Sequence, residues 1–105
     1  MINKLKIGHQ VVDIKITNIL REGRMGEFSP MDGYIAIDET IVSKPGEFLS
    51  TLLHEITHAL AWHMGVLSDS LEPERICDLV GNGMTMVFMD NPELMKEINK
   101  QLRKI

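Results

Sequence analysis

An α+β domain, a small N-terminal β-sheet of two to three strands followed by three helices, is the fold this sequence predicts. Up to residue 44 apolar side chains tend to alternate with polar ones, and from Pro45 onward they recur at helical spacing. No repeat and no low-complexity linker divides the 105 residues, so strands first and helices after are read as one domain, residues 1–105.

The elements follow in order. Leu5 and Ile7, then Val12, Ile14 and Ile16, alternate with polar neighbours, and Gly8-His9 sits between the two runs as a turn. The stretch REGRMGEF, residues 21–28, is rich in glycine and charge and reads as a loop. Met31-Asp32-Gly33 is a turn into a short strand, Tyr34 to Ile37. Leu49, Leu52, Ile56, Leu60 and His63 mark a first helix after Pro45, and Gly65 is placed to end it. A second helix is expected from near Pro73 to about Met89, carrying Ile76, Leu79, Val80, Gly83 and Val87 on one side. Asp90-Asn91-Pro92 breaks it, with Asn91 as N-cap of a last amphipathic helix from Pro92 to about Arg103.

Composition narrows the function classes. A net charge of −4 argues against nucleic acid as the main partner. No stretch approaches the apolar length of a membrane span, and the N-terminus lacks the uninterrupted apolar region of a signal peptide. Cys77 is the single cysteine, which rules out an internal disulfide and suits a reducing cytosol. The expectation is a cytoplasmic protein with no nucleic-acid or membrane partner.

Against this ordinary background stands TLLHEITHAL, residues 51–60. On a wheel of about 100° per residue, Leu49, Leu52, Ile56, Ala59, Leu60 and His63 share one side. Thr51, His54, Glu55, His58 and Trp62 share the other. Side chains four apart stand one above the other, so His54 and His58 can offer ring nitrogens to one ion, with Glu55 beside them. This is the H-E-x-x-H spacing, and shuffling four histidines and nine glutamates through this chain would produce it roughly once in a hundred trials. The chemistry explains the residue types. Zinc takes neutral imidazole, a catalytic site keeps a position for water, and a nearby glutamate accepts that water's proton. The competing explanation is a polar helix face with two incidental histidines.

A third ligand must come from elsewhere. His63 points about 180° away from His54 on the wheel, and reads as a packed or helix-terminal histidine. Glu72 and Glu74 lie at the start of the second predicted helix. HEITHAL followed by ERICD, Glu74 to Asp78, resembles the gluzincin pattern of zinc metallopeptidases, in which H-E-x-x-H is followed by E-x-x-x-D. The wider run through EPERICDLVGNGM to MDNPEL is similar to small metallopeptidases inferred in bacteriophages and prophages, and to minigluzincins of comparable size. The resemblance covers roughly residues 33–95. It implies a minimal zincin-like fold in a bacterial host cell, with zinc held by His54, His58 and Glu74, Glu55 as general base, and Asp78 supporting a ligand. It implies a peptide or protein substrate paired along the strand Tyr34 to Ile37 as a sheet edge.

The choice of Glu74 over Glu72 also rests on spacing, because Asp78 follows Glu74 by one helical turn whereas Ile76 holds that offset from Glu72. The chain departs from the large gluzincins in lacking a downstream tyrosine or histidine to steady an oxyanion, Tyr34 being its only tyrosine. Two other readings stand beside the peptidase. One is a zinc-binding but non-catalytic interaction or regulatory protein. The other is a latent enzyme masked by its C-terminal segment.

Other features read as structural. Cys77 is taken as a small core residue, and the methionines of GMTMVFM as core filling. The basic end KEINKQLRKI complements a helix dipole. Trp62 is expected to pack against the second or third helix, with a place in a substrate cleft as the alternative.

Overall fold

A computed structural model of the chain describes residues 2–19, 23–65, 76 and 79–105. It is α+β: a four-stranded mixed sheet followed by helices. The strands are β1 (Lys4–Ile7), β2 (Gln10–Thr17), β3 (Gly26–Ser29) and β4 (Tyr34–Asp38), in the order β1-β2-β4-β3. β1 and β2 form an antiparallel hairpin, β2 runs parallel to β4, and β3 is antiparallel to β4. A short 3-10 turn, Glu39–Ile41, then leads into α1 (Pro45–His63). Met84–Asp90 forms α2 and Pro92–Leu102 forms α3.

β3 corrects the loop reading of residues 21–28. Its residues are all half-buried, so no in-and-out alternation betrays the strand. What makes it a strand is the hairpin with β4, in register Glu27 with Ala36 and Phe28 with Ile35.

One face of the sheet holds the core. Leu5, Ile7, Val12, Ile14, Ile35 and Ile37 point to it and meet Phe48, Leu52, Ile56, Ala59 and Leu60 of α1. Leu52, Ile56 and Leu60 are fully buried, and each contributes about 1.5–3 kcal/mol relative to an exposed position. Pro45 starts α1 without needing a donor, and Gly65, at φ +68°, ends it by donating to Trp62 C=O. Asp38, fully buried, accepts from Ile19 N–H and from Thr40 N–H and hydroxyl, which ties the chain after β2 to the end of β4.

The expected second helix differs in phase. Leu79–Gly83 is a π-helical turn running into α2, and its wider winding lines up Leu79, Gly83 and Val87 as the buried positions. Val80 and Ile76, expected on the same side, are exposed. Gly83 is packed so closely that an added Cβ would meet Leu60 and Met64 of the α1 end at 3.3 Å. Asn91 sits at the N-cap position of α3, but its side chain does not cap that helix. Its amide instead donates to Lys6 C=O and Val87 C=O, and its oxygen accepts from Lys6 N–H. None of the described helices is long and apolar enough to cross a membrane.

Candidate functional site

α1 carries its polar stripe along the free edge of β3. One turn of helix separates His54 from His58, and their Nε2 atoms lie 3.1 Å apart, with ring centroids at 4.8 Å. Both side chains are exposed. Two geometries share that spacing: one imidazole donating to the other, or two neutral imidazoles aimed at a single cation. With ligand bonds of about 2.0–2.1 Å, a tetrahedral ion needs its nitrogens roughly 3.3 Å apart. The pair therefore fits zinc with a small adjustment of either ring.

Glu55 is not on the open face with them. It turns inward, only 6% exposed, with Oε2 4.0 Å from His54 Nε2. What covers it is the backbone of β3. A Cβ on Gly26 would lie 3.1 Å from both Cγ and Oε2 of Glu55 and 2.6 Å from Thr51 Cγ2. Glycine at 26 is what lets β3 close over the carboxylate. Burial pushes the Glu55 carboxyl above its ordinary range, His54 and His58 pull it back, and Glu27 and Arg24 act weakly in opposite senses. A carboxyl raised in this way takes and releases a proton nearer neutrality than one in water.

Between α1 and β3 runs a cleft of about 930 Å³. Arg24, Gly26, Glu27, Phe28 and Pro30 form one wall, and His54, Glu55, Thr57, His58, Ala61 and Trp62 form the other. Leu79 closes one part of it. Trp62, expected to pack against a helix, lines this cleft and remains half-exposed, edge-on to Phe28 with ring centroids 6.4 Å apart. The wall on the β3 side is stiffened by the Arg24–Glu27 ion pair (3.1 Å) and by the Tyr34 hydroxyl donating to Glu27 (3.1 Å). That bond to a carboxylate, with some desolvation, holds the Tyr34 phenol above its ordinary pKa. Tyr34 itself does not line the cleft.

The edge is β3, not β4. Tyr34–Asp38 lies inside the sheet between β2 and β3, so the strand expected to face a peptide is already paired on both sides. Asp38 N–H donates to Met25 C=O (2.8 Å), which fixes the alternation along β3. Met25, Glu27 and Ser29 turn their backbone groups toward β4, and Gly26 and Phe28 turn theirs outward. The outward groups have no partner among the described residues.

His63 lies away from the cleft. Its imidazole occupies the space where a Cβ on Gly8 would stand, 4.8 Å from the His9 ring. Glu72, Glu74, Cys77 and Asp78 lie outside the described residues. Among the described residues no group of three histidine, cysteine, aspartate or glutamate side chains comes together to hold a metal. α3 contributes nothing to the cleft lining.

Sequence reasoning missed the β3 wall: Gly26, Glu27 and Phe28. The available signal was Asp32-Gly33, a turn that joins two strands more often than it opens one. Compared with protein-family models, with curated proteins and with solved structures, the chain matches none.

Proposed function

We propose that this chain is a zinc-dependent peptidase that hydrolyses a peptide bond laid along β3. One observation carries the reading: two imidazole nitrogens 3.1 Å apart, a buried carboxylate 4.0 Å from one of them, and an unpaired strand edge share one cleft. His54 and His58 would hold the metal, with Glu74 as the third protein ligand and Asp78 supporting one of the ligand side chains. Zinc, when bound, polarises a carbonyl oxygen and acidifies water to a pKa of about 7. Glu55 takes the water's proton on Oε2 and passes it to the departing amine. Burial under Gly26 suits Glu55 to both steps, because the same carboxyl must accept a proton and then give it up. The outward backbone groups of Gly26 and Phe28 hold the peptide main chain, as unpaired edge groups do with an added strand.

The test is a pair of measurements on purified protein. Zinc titration should saturate at about one ion per chain, and His54→Ala or His58→Ala should abolish uptake. Glu55→Gln should keep zinc and the fold but lose about 10²–10⁴ in turnover on a peptide library. No zinc uptake at all overturns the reading. Zinc uptake with no cleavage by the wild type moves the chain to the non-catalytic zinc-binding class.

A further inference from the structure

The peptidase reading leaves the substrate side chain open, and the two walls of the cleft differ in what they present along their length. At Gly26 the strand meets the Glu55 carboxylate and the methyl group of Thr51. Two residues on, at Phe28, it meets the half-exposed indole of Trp62 edge-on. Two residues advance a strand by about 6.6–6.8 Å. The residues of a peptide paired with β3 that stand opposite Gly26 and Phe28 keep the same step, whichever direction the peptide runs. They also project their side chains to the same face of the extended sheet as Gly26 and Phe28 do, the face on which α1 lies. The residue opposite Gly26 therefore sits beside Glu55. The residue two positions away projects toward Trp62.

A half-exposed tryptophan packed edge-on against a phenylalanine in a cleft lining has apolar area still to bury. Phe28 is tied into the core, while Trp62 is not, so Trp62 is the wall that can adjust to an occupant. We propose, resting on the peptidase reading, that Phe28 and Trp62 form a subsite for one bulky apolar side chain of an extended peptide. That side chain stands two residues from the residue held beside Glu55. The preferred substrates are therefore peptides carrying phenylalanine, leucine or methionine at that distance from the cleaved bond.

Trp62 is the chain's single tryptophan, so its fluorescence reports on this subsite directly. The experiment uses zinc-loaded Glu55→Gln protein, which holds peptides without cutting them. It is offered two pools of ten-residue peptides, one containing phenylalanine, leucine and methionine and the other only small and polar residues. The apolar pool should shift the Trp62 emission and bind about 10–100-fold more tightly. With labelled peptides, Trp62→Ala on the same background should erase the difference, and Trp62→Phe should restore part of it. Cleavage mapping with the wild type should place the apolar residue two positions from the cut.

Equal binding of both pools, or a preference that survives Trp62→Ala, overturns the subsite. So does cleavage with the apolar residue consistently at another distance. A Trp62-dependent preference without any cleavage sustains the subsite and sinks the peptidase reading, so the two fail separately.

Discussion

The two edges of this sheet are treated in opposite ways. At β1 three of the outward-facing backbone groups are taken up by side chains. Ile14 N–H donates to Asn3 C=O, so Ile2, Lys4 and Lys6 are the residues turned away from β2. Glu97 accepts from Ile2 N–H, and Asn91 bonds both Lys6 N–H and Lys6 C=O, as a neighbouring strand would. At β3 the outward groups of Gly26 and Phe28 open into the cleft beside the two histidines. One edge is partly covered by side chains from the C-terminal third of the chain, and at the other the outward groups have no partner among the described residues. The β1 edge is thus tied to the fold, and the β3 edge faces the cleft.

That division can be broken by substitution. The largest effect is expected at Asn91, which is buried and makes three bonds to main chain. Asn91→Ala leaves those groups without partners and should cost about 2–3 kcal/mol, a fall in Tm of roughly 10–20 °C. Zinc uptake, titrated below the new Tm, should stay as in the wild type. A variant that keeps its Tm but loses zinc would erase the distinction between the edges.

Gly26→Ala strikes the open edge and should cost less, about 1–2 kcal/mol, because the new methyl meets the movable side chains of Thr51 and Glu55. Thr51→Ala in the same chain removes the closest contact, at 2.6 Å, and should recover part of the loss. Here turnover should suffer more than stability, since Glu55 is displaced. Thermal melts of the single and double variants, with peptide cleavage alongside, separate the two effects.

An effect of similar size depends on pH. Burial alone would raise the Glu97 carboxyl, but bonds from Gln101 and Ile2 N–H, with Lys100 nearby, outweigh it and set it below its ordinary value of 4.5. A folded-state pKa below the unfolded one stabilises the fold above the unfolded pKa, and the contribution is lost as pH falls through the folded one. Glu97→Ala should thus be less stable than wild type by about 1–2 kcal/mol at pH 7. The gap should narrow steadily below pH 4.5 in denaturant titrations. A gap that widens on acidification would reverse the sign assigned here.

How much of this was legible in the sequence varied with how a residue is buried. α1 could be read almost whole, because Leu52, Ile56 and Leu60 face the sheet and His54, His58 and Trp62 face out, and a one-sided helix writes its period plainly. Glu55 sits at the border of those two faces, and only the approach of Gly26 decides that it is buried. β3 was illegible because it is half-covered on both faces, which removes the alternation that marks a strand. The phase of the segment before α2 was lost to a π-helical turn, which no 3.6-residue period can fit. Asn91 was placed correctly at a helix start, but its partner is a strand 85 residues earlier, and local pattern carries no trace of it.

The cover over β1 also matters for many molecules together. A sheet with two free edges can add a copy at each end and grow without limit, as fibres do. A sheet with one free edge can only pair, edge to edge, and then growth stops. By bonding both Lys6 N–H and Lys6 C=O, Asn91 takes two of the groups that a copy adding a strand at β1 would need, which disfavours growth from that edge.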